Sequence, residues 1–187
     1  GLLLIAKKRP VLKQLQEDFR EGRIRKTYQA LVKGTVLLDR QRIDAPLLRT
    51  ETPGGERRVR VHPEGKPSQT LWQVSERLHG ATLVEASPLT GRTHQIRVHF
   101  SEAGHPLLGD PLYGRVPKNR LLMKIHSQLG HQALHARLLG FVHPITSQRI
   151  SHSAAPPSDF LEALAQLVGE SSPAGVMTPR LPWEISV

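Results

Sequence analysis

Alternation of hydrophobic and polar residues predicts most of the strands in this chain. Strands are predicted over residues 1–6, 25–33, 68–78 and 81–86. Within residues 25–33, Tyr28, Ala30 and Val32 share one face, and the residues between them share the other. A tyrosine on this small-residue face either lines a cleft or belongs to the core with its hydroxyl hydrogen-bonded.

Apolar residues three and four positions apart predict three helices. Their apolar positions are Leu12, Leu15 and Phe19; Ile96, His99, Phe100 and Ala103; and Phe160, Leu161, Leu164 and Leu167. The first helix begins near Pro10 and ends at Gly22, the second ends at Gly104, and Ser158 can cap the third. Neighbouring strands without regular βαβ alternation predict an α+β fold, with a mixed, largely antiparallel sheet flanked by helices and loops.

A basic hairpin is predicted over residues 45–68. Val59 and Val61 mark a short strand, and Gly54-Gly55 supplies a turn. The basic residues of this segment are Arg49, Arg57, Arg58, Arg60 and Lys66. They either contact a polyanion or serve only as solvated charge.

Charge and composition narrow the class of partner. The 187 residues carry a formal net charge of +10, and the sequence pI is about 10.7. A polyanion is the natural partner, whereas an aromatic content of 4% argues against stacking of single strands as the main binding device. The absence of cysteine excludes disulfides, thiolate catalysis and cysteine-ligated zinc, and is compatible with a cytoplasmic location. No apolar run is long enough to predict a membrane span.

The polar and charged residues best suited to a functional site lie where the strand over residues 81–86 meets the second helix. Thr90 or Thr93 can cap this helix, whose N-terminus then lies beside Arg92, His94 and Arg97. On a helix Arg97 is rotated by about 100° from Ile96, so one turn can offer an apolar wall and a guanidinium to the same cleft. The alternative is that both arginines are solvated surface charges.

Several motifs in this order resemble those of the RNA pseudouridine synthases that modify large ribosomal RNA. They are Lys26-Thr-Tyr-Gln-Ala-Leu-Val-Lys-Gly34, Gly91-Arg-Thr-His-Gln-Ile-Arg-Val-His99, Gly104-His-Pro-Leu-Leu-Gly-Asp-Pro-Leu-Tyr-Gly114, and Leu134-His-Ala136 with Phe141-Val-His-Pro144. The resemblance covers roughly residues 1–165. The resemblance implies the pseudouridine synthase catalytic fold over residues 1–168, followed by a tail over residues 169–187.

The resemblance also implies a reaction. A uridine is flipped out of RNA, its C–N glycosidic bond is broken, and the ring is reattached to the ribose through carbon, without a cofactor. Such a site needs a carboxylate, a cation beside it, a wall for the base and basic surface for phosphates. The expected catalytic residues are Tyr28 against the base, Arg97 as the cation and Ile96 as apolar packing. The expected RNA-binding residues are Arg92, Arg60, Lys66, Arg58 and Lys26.

The sequence departs from the family at the nucleophile. The family's aspartate lies in a His-Arg-Leu-Asp motif, which belongs just upstream of Gly1 and is absent from these residues. We therefore expect the chain to be a fragment or processed product, with Arg97 balancing a carboxylate from a missing N-terminal segment of the same protein. None of its own acids replaces the aspartate convincingly: Asp110 belongs to a loop motif, Glu85 lies on a strand, and Glu17 and Asp18 are expected on a helix surface.

Two other functions and a metal site are alternatives to this interpretation. A non-catalytic RNA-binding or ribosome-associated module is favoured by the missing aspartate and opposed by the intact Tyr28 and Arg97. A membrane-surface protein would fit the charge, but the sequence lacks a basic helix with aromatic residues on its other face. His126, His131 and His135 suggest a metal site, yet residue 132 is Gln where a zinc hydrolase uses Glu. No metal is therefore expected.

Overall fold

The computed structural model describes residues 1–51 and 57–169. In chain order its elements are α1 (Arg9–Arg20), β1 (Arg25–Lys33), β2 (Arg40–Asp44), β3 (Leu47–Glu51), β4 (Arg57–Val61), β5 (Gln69–Arg77), β6 (Ala81–Pro88), α2 (Gln95–Glu102), α3 (Arg120–Leu129), β7 (Leu134–Val142), β8 (Arg149–Ser153) and α4 (Ser158–Val168). The Gly54-Gly55 turn and residues 170–187 of the predicted tail lie outside the described residues.

The main sheet is six-stranded, in the order β2-β5-β6-β1-β7-β8, and each pair of neighbouring strands runs antiparallel. Strands β3 and β4 form a separate antiparallel hairpin, which confirms the predicted hairpin between residues 45 and 68. The predicted α+β class with a largely antiparallel sheet is confirmed. None of the helices in these described ranges is both long and apolar enough to cross a membrane.

Strand β1 lies in the middle of the sheet and packs on both faces. Ala30 and Val32 pack with Ile96 and Phe100 of α2, and Tyr28 borders this cluster. Leu31, on the opposite face, packs with residues of α3 and α4. The predicted sharing of one face by Tyr28, Ala30 and Val32 is therefore confirmed, and that face carries the helix of the central motif.

The predicted strand at residues 1–6 is wrong. These residues form no strand, and the backbone hydrogen bond recorded for them runs from the N–H of Leu2 to the carbonyl of Ala136 (2.9 Å). Leu3 and Ile5 are 82% and 74% exposed. Alternating half-buried and exposed residues thus occur here without a strand ladder.

Helix α3 was not predicted, although its signals are in the sequence. Leu122, Ile125 and Leu129 recur at helical spacing and are all buried. The Asn119 side chain accepts a hydrogen bond from the N–H of Leu122, and Gly130 ends the helix with a φ of 62°. Strands β2 and β8 were also not predicted, because short, largely polar edge strands carry little hydrophobic periodicity.

Capping differs from expectation at two helices. Helix α2 follows His94, which adopts a left-handed conformation (φ 52°) and makes no side-chain cap, so neither Thr90 nor Thr93 is the N-cap. Helix α4 follows Pro157, and Ser158 is its first residue rather than its cap. The predicted proline near the start of α1 is confirmed.

Candidate functional site

A cleft of about 500 Å³ opens where β1, the turn after β6 and the N-terminal end of α2 meet. Tyr28, Ile96 and Arg97, the three residues expected to be catalytic, all line it. Lys26 and Arg92 add two further cations to its wall. No acidic side chain of the described residues lines this cleft, so its lining is positive and partly apolar.

Tyr28 presents its ring to the cleft and is half-buried. Burial raises the pKa of its hydroxyl above the ordinary value. The hydroxyl has no hydrogen-bond partner among the described residues. This is the arrangement expected of a residue that lines a cleft, and it differs from that of a core tyrosine with a bonded hydroxyl.

Arg97 is held rigidly behind this wall by Asp110. Arg97 Nε donates to Asp110 Oδ2 (2.8 Å), and Nη2 donates to Oδ1 (2.7 Å), in a two-pronged pair that is almost fully buried. The guanidinium also lies 5.0 Å from the centre of the Tyr113 ring. The expectation that Arg97 pairs only with a carboxylate outside this chain is therefore wrong, because Asp110 of the following loop is its partner.

Asp110 has its hydrogen-bonding capacity filled. Besides Arg97, it accepts the backbone N–H groups of Leu112 and Tyr113 (2.9 and 3.0 Å). Burial alone would raise the pKa of this carboxyl, but the hydrogen bonds from Arg97 and the two N–H groups outweigh it and lower the pKa below its ordinary value. Asp110 is therefore an ionised anchor for Arg97. The Nη1 nitrogen of Arg97 has no partner in the described part of the chain.

Gln95 fixes the turn that leads into α2. Its side-chain oxygen accepts from the Thr90 hydroxyl (2.7 Å) and from the N–H of Arg92 (3.0 Å). Its nitrogen donates to the carbonyl of Gln69 (2.8 Å) and to the hydroxyl of Thr70 (3.0 Å). The buried amide therefore holds the turn against β5, but it does not cap the helix, because the N–H of Arg92 precedes α2. The partners of Gln95 lie far away in the sequence, so no local pattern predicts them.

His99 extends the same network to the hairpin. Its Nε2 donates to the carbonyl of Ala45 (3.0 Å), so its Nδ1 is the acceptor for the Thr70 hydroxyl (2.9 Å). Burial lowers the pKa of the imidazole, against the opposing effects of the Ala45 carbonyl and Asp44. A neutral, fully buried histidine therefore ties the base of the hairpin to α2.

The predicted RNA-binding residues separate into two groups. Lys26 and Arg92 line the cleft, where burial lowers the pKa of Lys26 and its ammonium lies 5.5 Å from the Phe19 ring. Arg92 also lines an adjoining groove of about 440 Å³ together with Lys66. The Nε of Arg92 donates to the carbonyl of Pro67 (3.1 Å). These residues form a basic path from the cleft to the hairpin, and Glu64 also lines the adjoining groove.

Arg58 and Arg60 lie on the other face of the hairpin. In the β3–β4 register they stand opposite Thr50 and Leu48, whereas the alternate residue Val59 is buried against Val98 of α2. Their side chains are exposed and point away from α2. The structure thus does not bring Arg58 and Arg60 into the cleft.

Comparison with known proteins identifies the family. The family model described as RNA pseudouridylate synthase matches residues 1–102. This chain belongs to the RNA pseudouridylate synthase family.

Relatives and solved structures agree with this assignment. Over 166 residues the chain is 46% identical to the "Ribosomal large subunit pseudouridine synthase C" of Escherichia coli O157:H7, covering 89% of this chain and 52% of that protein. It is 43% identical over 170 residues to the protein of that name from Haemophilus ducreyi, covering 91% of this chain and 52% of that protein. The chain thus spans about half the length of these relatives.

Solved human structures extend the similarity to the fold. The structure titled "Human RNA Pseudouridylate Synthase Domain Containing 1" aligns with a TM-score of 0.67 and 30% identity, covering 81% of this chain and 62% of that one. "Human RNA Pseudouridylate Synthase Domain Containing 4" aligns with a TM-score of 0.66 and 26% identity, covering 86% and 68%. The predicted pseudouridine synthase fold is confirmed.

The other acids of this RNA pseudouridylate synthase family member lie away from the cleft. Glu85 is buried on the opposite face of the sheet, where it pairs with Arg137 and accepts from Gln73. Asp18 is buried on α1 rather than exposed as expected, because Gln14 and Arg23 both donate to its carboxylate (3.0 and 2.9 Å). Neither acid is placed to act on a base in the cleft.

The candidate metal histidines have separate structural partners. His126 accepts from the N–H of Gly109, and His131 pairs with Asp159. His135 lies on β7 and bonds the carbonyl of Ala154. Within residues 1–51 and 57–169, no group of three or more histidines and acids is arranged to hold a metal ion.

Proposed function

We propose that this chain forms the RNA-binding and base-positioning side of a pseudouridine synthase site that isomerises uridine in large-subunit ribosomal RNA. The observation that carries this proposal is the cleft itself, which brings Tyr28, Ile96 and Arg97 together on a wall lined with cations. A family assignment and relatives named as large-subunit ribosomal enzymes support the substrate class. A net charge of +10 fits a polyanionic substrate.

In this proposal each wall of the cleft has a separate role. The Tyr28 ring lies against the flipped base, and Ile96 supplies apolar packing beside it. Lys26 and Arg92 take phosphates near the cleft, while Lys66, Arg58 and Arg60 add longer-range attraction from the hairpin. Arg97 lines the cleft, and its Nε and Nη2 are fixed by Asp110 while Nη1 has no partner among the described residues. In this proposal Nη1 orients a carboxylate brought to the base and keeps it ionised.

The nucleophile in this proposal comes from a segment of the same protein that carries the His-Arg-Leu-Asp motif. Two observations support an outside source. Asp110 is committed to Arg97 and two backbone N–H groups, and no other acid in the described ranges lines the cleft. Positioning groups cannot replace a covalent nucleophile, whose loss lowers rates by roughly 10⁴- to 10⁶-fold.

The same absence of a carboxylate favours a second candidate function. The chain would then bind RNA through the cleft and hairpin without chemistry, as a ribosome-associated module. This candidate predicts salt-dependent binding to RNA but no isomerisation in any combination with other segments of the protein.

Pseudouridine formation in large-subunit ribosomal RNA distinguishes the two. The assay compares the 187-residue chain, the chain mixed with a peptide bearing the His-Arg-Leu-Asp motif, and both joined in one polypeptide. We expect no product from the chain alone and product from the joined protein, with partial recovery in the mixture. Product from the chain alone would place the nucleophile within these residues, and RNA binding without product from the joined protein would favour the non-catalytic module.

A further inference from the structure

His94 occupies a left-handed backbone position at the mouth of α2. It is half-buried, lines the cleft and adopts φ 52°. This conformation is uncommon outside glycine, although asparagine, aspartate and histidine adopt it more often than other residues. The contacts of the His94 ring decide what it can offer to the cleft.

The hydrogen bonds of Tyr113 favour one tautomer of the His94 ring. The N–H of Val59 donates to the hydroxyl oxygen of Tyr113 (3.1 Å), and the same hydroxyl lies 2.9 Å from Nδ1 of His94. Among the described residues Nδ1 is the acceptor within reach of this hydroxyl, whose oxygen already receives the Val59 N–H. Donation from the hydroxyl to Nδ1 places the proton of a neutral ring on Nε2.

The environment keeps this ring neutral. Burial and the positive charge of Arg97 lower the pKa of His94, and Asp110 opposes them only in part. At neutral pH the ring is therefore an uncharged donor through Nε2. Nothing in the described part of the chain accepts a hydrogen bond from that nitrogen.

We propose that His94 donates a hydrogen bond from Nε2 to a carbonyl oxygen of the uracil base held in the cleft, and that Tyr113 is the positioning residue that sets its tautomer. This inference rests on the proposed function. A neutral donor beside Tyr28 and Ile96 suits an uncharged carbonyl, whereas Lys26 and Arg92 are the natural partners of phosphate. Val59 belongs to β4, so the hairpin shares the hydroxyl that orients His94.

The tautomer is tested first, without RNA. Nitrogen NMR of histidine-labelled chain at neutral pH should show the His94 ring protonated at Nε2 alone. Tyr113→Phe removes the hydroxyl while keeping the ring over Arg97, and should give a mixture of both tautomers. A ring protonated at Nδ1 in the parent chain overturns the inference.

RNA binding then tests the donor with two substitutions, one that removes the donor at the Nε2 position and one that keeps it. Asn adopts the left-handed backbone readily but is too short to place a donor at the Nε2 position, whereas Gln reaches that position with its amide. The probes are a short RNA hairpin with a single loop uridine and the same RNA with an abasic site there. We expect His94→Asn to weaken binding of the uridine RNA about fivefold to tenfold, from the loss of one buried hydrogen bond, and His94→Gln to restore most of it.

The abasic RNA shows which group is recognised. Its affinity should be the same for the parent chain, His94→Asn and His94→Gln, because the acceptor is missing. His152→Asn, on the exposed edge strand β8, is the matched control and should change neither affinity. An equal loss with both RNAs would assign the contact to phosphate and overturn the proposal.

Two further outcomes separate this inference from the function on which it rests. Unchanged affinity for uridine RNA in His94→Asn would show that the residue serves only the backbone turn, and overturns the inference alone. Failure of the parent chain to bind either RNA would overturn the proposed function, and the inference with it.

Discussion

Helix α2 and the β3–β4 hairpin are both rich in polar residues, but the two regions use them in opposite ways. Every residue from Gln95 to Phe100 is buried, and the polar side chains among them are held by specific partners. In the hairpin Leu47 and Val59 are buried, whereas Arg58 and Arg60 are exposed. One region fixes its groups in place, and the other presents charge to solvent.

The difference separates two requirements of a site that handles RNA. A flipped base must meet its contacts at fixed distances, which requires buried side chains held in place by hydrogen bonds, such as Arg97 and Gln95. Attraction of phosphates acts over a distance of about 8 to 10 Å and needs no fixed geometry, so exposed arginines suffice. Substitutions in α2 should therefore change stability, and those in the hairpin should change salt-dependent binding.

The largest expected effect comes from removing the partner of Arg97. Asp110→Leu leaves a buried guanidinium without its carboxylate and two backbone N–H groups without an acceptor, which should lower the free energy of unfolding by about 3 to 5 kcal/mol. Urea unfolding followed by circular dichroism measures this loss.

The matched control is an exposed ion pair. Asp39→Asn weakens the bond between Arg77 and an Asp39 side chain that is 86% exposed, and should cost only about 0 to 1 kcal/mol. Equal losses of stability in the two variants would contradict the conclusion that Asp110 anchors Arg97 of α2.

A smaller effect is expected from acidification, because His99 is neutral in the folded chain. Its folded pKa is lowered, mainly by burial, below the unfolded value of about 6.5. Below that pH the unfolded chain binds a proton that the folded chain excludes, so stability should be lost as pH falls from about 7 towards 5. Protonation of Nδ1 would also break the bond from Thr70.

His131 acts in the opposite direction, because the Gln132 carbonyl and Asp159 raise its pKa. The measurement is therefore made in a His131→Gln background, by urea unfolding at several pH values. His99→Gln in that background should make the pH dependence weaker, leaving the contribution of the same sign from His94. An unchanged slope would show that His99 is not the group that titrates.

Local patterns predicted the elements around the site but not the contacts that organise it. The period of two predicted β1, β5 and β6, and helical spacing predicted α1, α2 and α4. These signals are local, so they can be read from the sequence without knowledge of the rest of the fold. The predicted strand at residues 1–6 was wrong because a strand also needs a ladder of hydrogen bonds, and the bond from Leu2 to Ala136 does not make one.

Long-range polar pairs have no comparable signal. Asp110 reaches Arg97 only because the loop after α2 turns back over the helix, and His99 reaches Ala45 only because the hairpin packs there. Spacing placed Tyr28, Ile96 and Arg97 as candidates, and the fold brought them to one cleft. The spacing of residues could not show that Arg97 pairs with Asp110 of this chain.

Substitutions in the hairpin should change the salt dependence of RNA binding and leave the free energy of unfolding nearly unchanged. With about six phosphates contacted, the log of RNA affinity should fall with the log of salt concentration at a slope near −4, using about −0.7 per phosphate. Replacing Arg60 and Lys66 together by Ala should make this slope shallower by about 1.4 if each contacts one phosphate. Both side chains are exposed, so the free energy of unfolding should change by less than about 0.5 kcal/mol.

Affinity measured by fluorescence anisotropy over a range of salt concentrations checks this prediction. Arg149→Ala combined with Lys124→Ala, on the far edge strand β8 and on α3, is a control of equal charge change outside the basic path. If that control lowered the slope as much as Arg60→Ala with Lys66→Ala, overall charge rather than the hairpin would account for binding.

The smallest effect on stability is expected at Tyr28, which combines features of both regions. Its ring is packed beside the core, like the residues of α2, but its hydroxyl has no partner among the described residues. Tyr28→Phe should therefore change the free energy of unfolding by less than about 0.5 kcal/mol and leave RNA affinity nearly unchanged, because the ring that stacks on the base remains. Tyr28→Leu keeps an apolar side chain but removes that ring, and should weaken RNA binding by about 1 to 3 kcal/mol. Thermal unfolding measures the stability of both variants, and fluorescence anisotropy measures their RNA affinity. A large loss of stability in Tyr28→Phe would mean that the hydroxyl is hydrogen-bonded within the core.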